Sequence, residues 1–207
     1  HDMVTSAIWG NLDYNKTAID LFTHQKAGPL SFYARGRYEK LSGRPLPQDQ
    51  LGIFDIPNYY IAGSFVPGRE YMSPRGFSGV RKGNQAFMGT VELRAPAAPF
   101  QFVEILKIIQ LGNPTVALIS DFGNAWNNDE KQVGLSDDQD DLIMTTGLEF
   151  RFALSLAKSP LFIFSYGWAQ SPKKWGNDFK KLAEMEEGDV IDVGPKPYFQ
   201  MTLINPF

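Results

Sequence analysis

Hydrophobic and polar residues alternate along most of this chain in stretches of about ten residues or more, bounded by turn-forming residues. That period of two is the strand signal, and no long helical stripe competes with it. From Phe87 to Ala95, positions Phe87, Gly89, Val91, Leu93 and Ala95 share one face, while Met88, Thr90, Glu92 and Arg94 share the other. From Met144 to Leu156, a row of Met144, Leu148, Phe150, Phe152, Leu154 and Leu156 opposes Thr145, Gly147, Glu149, Arg151 and Ser155. Phe162, Phe164, Tyr166 and Trp168 stand against Ser165, Gly167 and Ala169. Val116, Leu118, Phe122 and Trp126 oppose Ala117, Ile119, Asp121 and Gly123, and Tyr33, Arg35, Arg37 and Glu39 fall together opposite Phe32, Ala34, Gly36 and Tyr38. The segment Phe102–Leu111 is open between a strand and a helix, because Phe102, Ile105, Leu106 and Ile109 also sit at helical spacing.

A soluble sandwich alternates too, with its apolar side packed inside and its polar side in water. Two details favour lipid against the apolar side. The strands reach the length that a tilted strand needs to cross a bilayer. Their polar side also mixes Arg, Glu and Asp with Gly, Ala and Ser, as a wet and partly filled interior accepts. Aromatic residues near strand ends (Trp9, Tyr59, Tyr60, Trp126, Trp168 and Tyr198) are expected as interfacial girdles. Connections differ in length: Ala157–Pro160 is short, whereas Asn127–Asp141 and Ser171–Pro197 are long and charged. Short periplasmic turns and long external loops are the outer-membrane asymmetry.

Composition narrows the function classes. With 207 residues and no internal repeat, one domain spanning 1–207 is expected. Phe (16) and Tyr (8) supply most of the aromatic share, and 19 Gly and 14 Pro suit many strands joined by turns. A net charge of −3 argues against a nucleic-acid partner, which calls for a basic face. The chain has no Cys, so it holds no disulfide, thiolate metal site or Cys nucleophile. No run approaches the roughly 18 apolar residues of a membrane helix. His1-Asp2-Met3 shows no signal peptide, and a chain that starts partway through a longer protein is expected.

Enzymatic chemistry has little support. The histidines are His1 and His24, and no G-x-S-x-G, H-E-x-x-H or phosphate-loop pattern occurs. His24, in a polar stretch, reads as a loop or strand-end residue. The acidic stretch with Asp129, Glu130, Asp137, Asp138, Asp140 and Asp141 offers oxygen ligands for Ca²⁺ but lacks the EF-hand spacing and its Gly, so it reads as a solvated loop. Lys173, Lys174, Lys180 and Lys181 beside Trp175 and Phe179 read as a charged external loop rather than a lipopolysaccharide site, with a short helix expected over 177–187. Neither a metal nor a cofactor is expected.

Local patterns then line up in order: Pro74-Arg75-Gly76-Phe77, Glu92-Leu93-Arg94-Ala95-Pro96, Ser120-Asp121-Phe122-Gly123-Asn124-Ala125-Trp126, Thr146-Gly147-Leu148-Glu149-Phe150-Arg151, and a last strand from Tyr198 ending on Phe207. The order resembles the bacterial surface antigen superfamily of BamA- and TamA-like barrels, well from about Tyr59 onward and loosely before it. Pro74 departs from the aliphatic residue that precedes Arg-Gly in that family, and Asn205-Pro206 departs from its terminal pattern.

The resemblance implies an all-β fold, an antiparallel transmembrane β-barrel of about eight strands. These are either the C-terminal half of a sixteen-stranded barrel or a small closed barrel. It implies that Arg75, Gly76 and Phe77 lie on a loop folded into the barrel lumen, where Arg75 pairs mainly with Asp121, with Glu92 and Glu149 on the same wall. A buried guanidinium is costly unless so paired. Gly76 lets the backbone turn tightly or approach the wall, and Phe77 wedges beside it. Gly123, Gly147 and Arg151 belong to the family's strand motifs, and Phe199, Met201, Leu203 and Phe207 to its C-terminal assembly signal. The implied setting is the bacterial outer membrane. The implied partners are outer-membrane lipid, the barrel-assembly machinery, and either a missing N-terminal half or a second copy. The implied activity is insertion or translocation of proteins or lipids without covalent catalysis. The alternatives are a passive pore or anchor, and a soluble β-barrel that binds an apolar ligand.

Overall fold

A computed structural model describes residues 2–4, 14–45, 50–54, 74–77, 79–97, 103–105, 109–127, 142–156, 159–171, 180–181 and 196–203. The trace is all-β. Strands β1 (Asp2–Val4), β2 (Tyr14–Ala27), β3 (Leu30–Gly43), β4 (Leu51–Phe54), β5 (Gly79–Gly83) and β6 (Gln85–Pro96) come first. They are followed by β7 (Val103–Ile105), β8 (Ile109–Trp126), β9 (Ile143–Leu156), β10 (Ser159–Gln170), β11 (Lys180–Lys181) and β12 (Lys196–Leu203).

The main sheet is antiparallel, in the order β1-β2-β3-β6-β8-β9-β10-β12, with β7 folded back on β8. Among the described residues its two ends do not pair with each other, so the sheet is open there. A two-residue Gly28-Pro29 turn joins β2 to β3, whose register runs from Ala27↔Leu30 to Tyr14↔Gly43. Register shifts lie between Gly112 and Thr115 on β8 and between Pro160 and Phe162 on β10, next to Pro114 and Pro160. A proline cannot donate to the ladder, and bulges are where sheets accommodate it. The ambiguous Phe102–Leu111 segment resolves as strand at 103–105 and 109–111.

The register preserves the alternation across the sheet. One row of partners runs Ser31–Arg94–Ala117–Glu149–Gly167–Tyr198, the next Tyr33–Glu92–Ile119–Gly147–Ala169, and a third Arg35–Thr90–Asp121–Thr145. All of these lie on one face, the polar one. The opposite face carries Leu21, Phe32, Leu93, Leu118, Leu148, Phe150, Tyr166, Trp168 and Phe199, all exposed.

Most of the small core lies on the polar face. Leu41, Leu51, Ala86 and Ala125 cluster with Tyr14 and Met88. Ala117, Ile119 and Ala169 form a second cluster against Tyr198. A separate three-stranded sheet, β11-β5-β4, covers part of this face. Its Ile53 is fully buried, and a Cβ at Gly123 would stand 2.9 Å from the Ile53 Cδ1. Arg81 Nε on β5 donates to the Ala125 carbonyl at 3.0 Å. The expected helix over 177–187 is not what forms at Lys180–Lys181. These two residues pair with Val80 and Gly79, so a free sheet edge overrides the local helical composition.

Of the aromatics expected in an interfacial girdle, Trp126 and Trp168 lie on the apolar face and Tyr198 does not. Trp126 is buried, packed against Tyr38 and Phe87. Tyr198 stands in register with Gly167 on the polar face. Trp168 is exposed on the apolar face, beside Tyr166. Trp9, Tyr59 and Tyr60 lie outside the described residues.

Candidate functional site

Residues Pro74–Phe77 form a tight turn in which the Phe77 N–H donates to the Pro74 carbonyl at 3.1 Å. Gly76 occupies the third position with φ of 78°, as a type II turn requires. A Cβ there would also come within 2.8 Å of the Ala169 Cβ on β10. Turn conformation and close approach to the sheet therefore both demand glycine. Pro74 and Phe77 are buried on either side.

This turn delivers Arg75 onto the polar face of β6, β8 and β9. The Arg75 Nε donates to Asp121 Oδ2 at 2.7 Å and Nη2 to Oδ1 at 2.7 Å, a bidentate pair. Its backbone N–H adds a third bond to Oδ2 at 2.9 Å. Nη1 reaches Glu92 Oε1 at 2.8 Å and Glu149 Oε2 at 3.2 Å. One guanidinium thus ties three neighbouring strands together. Asp121 is fully buried, and Arg75 is 8% exposed.

Two more arginines complete the cluster. Arg94 Nε donates to Glu92 Oε2 at 2.6 Å, and its guanidinium stacks 4.5 Å from the Tyr33 ring centroid. Arg151 donates through Nη2 to Glu92 Oε1 at 2.8 Å and through Nε to Glu149. The Tyr198 hydroxyl donates to Glu149 Oε2 at 2.6 Å, and Thr90 Oγ1 to Asp121 Oδ1 at 2.9 Å. Tyr198 reaches Glu149 across Gly167, where a Cβ would stand 2.6 Å from the tyrosine hydroxyl. Three carboxylates meet three guanidiniums, so the cluster is formally neutral. Burial is tolerable under that condition, because each ion is paired and hydrogen-bonded.

A second ionic group occupies the polar side of β2 and β3. Arg37 donates to Glu39 Oε1 through Nε at 3.0 Å and Nη2 at 2.5 Å. Lys16 pairs with Glu39 at 3.2 Å, and Asp20 takes Arg35 and Arg37. Arg35 and Asp20 are more exposed than the Arg75 cluster and their pairing contributes less to stability, whereas Glu39 is buried.

The structure brings together Arg75, Asp121, Glu92, Glu149 and Arg151 of the sequence-derived site. Gly147 lies in register with Ala169, beneath the Gly76 turn, and Gly123 lies beneath Ile53. Phe199, Met201 and Leu203 stand in register with Tyr166, Phe164 and Phe162, and Phe207 lies outside the described residues. The acidic stretch 129–141 also lies outside them, as do Lys173, Lys174, Trp175 and Phe179. Arg94, Tyr198 and Thr90 join the site without having been singled out. The parity of Arg94 and Thr90 with Glu92 was the available signal. Among the described residues no group of His, Asp or Glu is arranged to hold a metal, and no helix is long and apolar enough to cross a membrane, which says nothing of strands.

No protein-family model matches the chain, and no curated protein matches it in sequence.

Proposed function

We propose that this sheet is part of the wall of a transmembrane β-barrel in a bacterial outer membrane, of the kind that inserts or translocates proteins or lipids without covalent chemistry. The observation that carries this reading is the inversion of the two faces. Leu118, Leu148 and Trp168 are 56%, 54% and 49% exposed, while Asp121, Glu92 and Glu149 opposite them are 0%, 3% and 2% exposed. A soluble sandwich packs its aromatic side and wets its charged side. The reverse suits a sheet with acyl chains outside and a filled polar interior. Strands β6, β8, β9 and β10, of 12 to 18 residues, are long enough to cross.

The polar face holds backbone as well as side chains, in the Pro74–Phe77 turn and the β11-β5-β4 sheet. A barrel of about eight strands has room inside for little more than side chains. The barrel is therefore wider than this chain's strands alone, completed by more of the same protein or by a second copy, because open edges in lipid leave backbone groups unpaired. The resemblance to surface-antigen barrels supports the assembly or translocation role, and the braced turn favours a plugged interior over a passive open pore. In cells, depletion should lower the amounts of other outer-membrane proteins or of surface lipid. Heat-modifiable gel migration with no effect of depletion would leave an anchor, and solubility without detergent would remove the membrane reading altogether.

A further inference from the structure

Beyond the Arg75 cluster, toward the Gly28-Pro29 end of the sheet, the polar face opens into a pocket of about 470 Å³. That volume lies in the range of small-molecule sites. Its walls bring together four basic side chains, His24, Lys26, Arg94 and Arg151, with apolar surface that includes Leu30 and Ile163. No carboxylate lines it among the described residues.

The two arginines are held from behind. Glu92 takes Arg94 through Nε and Arg151 through Nη2, and Glu149 takes Arg151 through Nε. Both guanidiniums therefore bond one carboxylate and stand side by side. Among the described residues, Nη1 and Nη2 of Arg94 and Nη1 of Arg151 meet no acceptor, and neither does the Lys26 ammonium. The two guanidiniums are fixed before any ligand arrives, which lowers the ordering cost of binding.

We infer that this pocket binds a small amphipathic oxyanion, a carboxylate or phosphate head joined to an apolar group. The oxygens accept from the free N–H groups of Arg94 and Arg151 and from Lys26. The apolar part lies along Leu30 and Ile163. The pocket has this chemistry whether or not the sheet crosses a membrane.

Calorimetric titration of the protein in uncharged detergent, with butyl phosphate, pentanoate, inorganic phosphate and 1-butanol, tests the inference. Butyl phosphate and pentanoate should bind at one per chain, inorganic phosphate more weakly, and butanol without measurable heat. Lys26→Gln and Arg94→Gln should each weaken butyl phosphate binding about tenfold or more, whereas Lys40→Gln, outside the pocket, should not. Lys26 makes no ion pair among the described residues, so its variant decides the matter if Arg94→Gln misfolds. Absence of binding, or binding that both variants leave unchanged, overturns the site. Equal affinity for inorganic and butyl phosphate overturns its apolar half.

Discussion

Replacing Arg75 by alanine removes every side-chain bond by which the turn holds β6, β8 and β9, and leaves the fully buried Asp121 with only the Thr90 hydroxyl and the turn's backbone N–H as donors. Breaking a buried pair from one side leaves the other charge unpaired, and about 3–5 kcal/mol of stability should be lost. Asp121→Ala is milder, because Arg75 keeps Glu92 at 2.8 Å and Glu149 at 3.2 Å. The loss of charge-assisted bonds there amounts to about 1.5–3 kcal/mol. In the double variant the orphaned carboxylate is gone. It should therefore be less destabilised than the two singles together, by up to about 3 kcal/mol. Urea unfolding in vesicles or micelles, followed by tryptophan fluorescence, measures all four proteins. Additivity within about 0.5 kcal/mol would mean that the two residues act independently and would refute the bracing role of the turn.

Three further perturbations probe separate links. Gly76→Ala meets both a positive φ and the Ala169 Cβ, and should lose about 1–3 kcal/mol in the same unfolding assay; a neutral result would mean that the turn is not seated on β10. Tyr198→Phe removes the hydroxyl bond to Glu149 and should lose about 1.5–3 kcal/mol, and an unchanged midpoint would place Tyr198 outside the cluster. Leu118→Arg, near the middle of β8 on the apolar face, should lose about 2–4 kcal/mol in lipid vesicles, whereas a protein with that face in water would tolerate it.

The alternation of β6, β9 and β10 was legible because each has a clean apolar row facing charged or small residues. Strand β2 was not picked out. Its polar side carries Phe22 and Ala18 among Lys16, Asp20 and His24, which blurs the period. The β11-β5-β4 sheet was hidden for a different reason. A two-residue strand at Lys180–Lys181 has no periodicity, and its partner lies 100 positions earlier in sequence. The acidic residues of the Arg75 cluster could be placed on one face by parity, but parity does not say that Arg94 and Arg151 share Glu92. That depends on which strands are neighbours. Tyr198 was misread because an aromatic near a strand end suits an interfacial girdle equally well, and only the register with Gly167 shows that it occupies the polar face.

The chain lacks cysteine, so single cysteines can be introduced and spin-labelled without background. Labels at positions 116 to 119 and 147 to 150 of the protein reconstituted in phospholipid vesicles, read by power saturation, report contact with dissolved oxygen in the bilayer against a water-soluble nickel chelate. High oxygen contact at Val116, Leu118, Leu148 and Phe150, alternating with protection at Ala117, Ile119, Gly147 and Glu149, is the expected pattern. Nickel contact at the four apolar positions, or the same oxygen contact at all eight, would show that lipid does not cover this face.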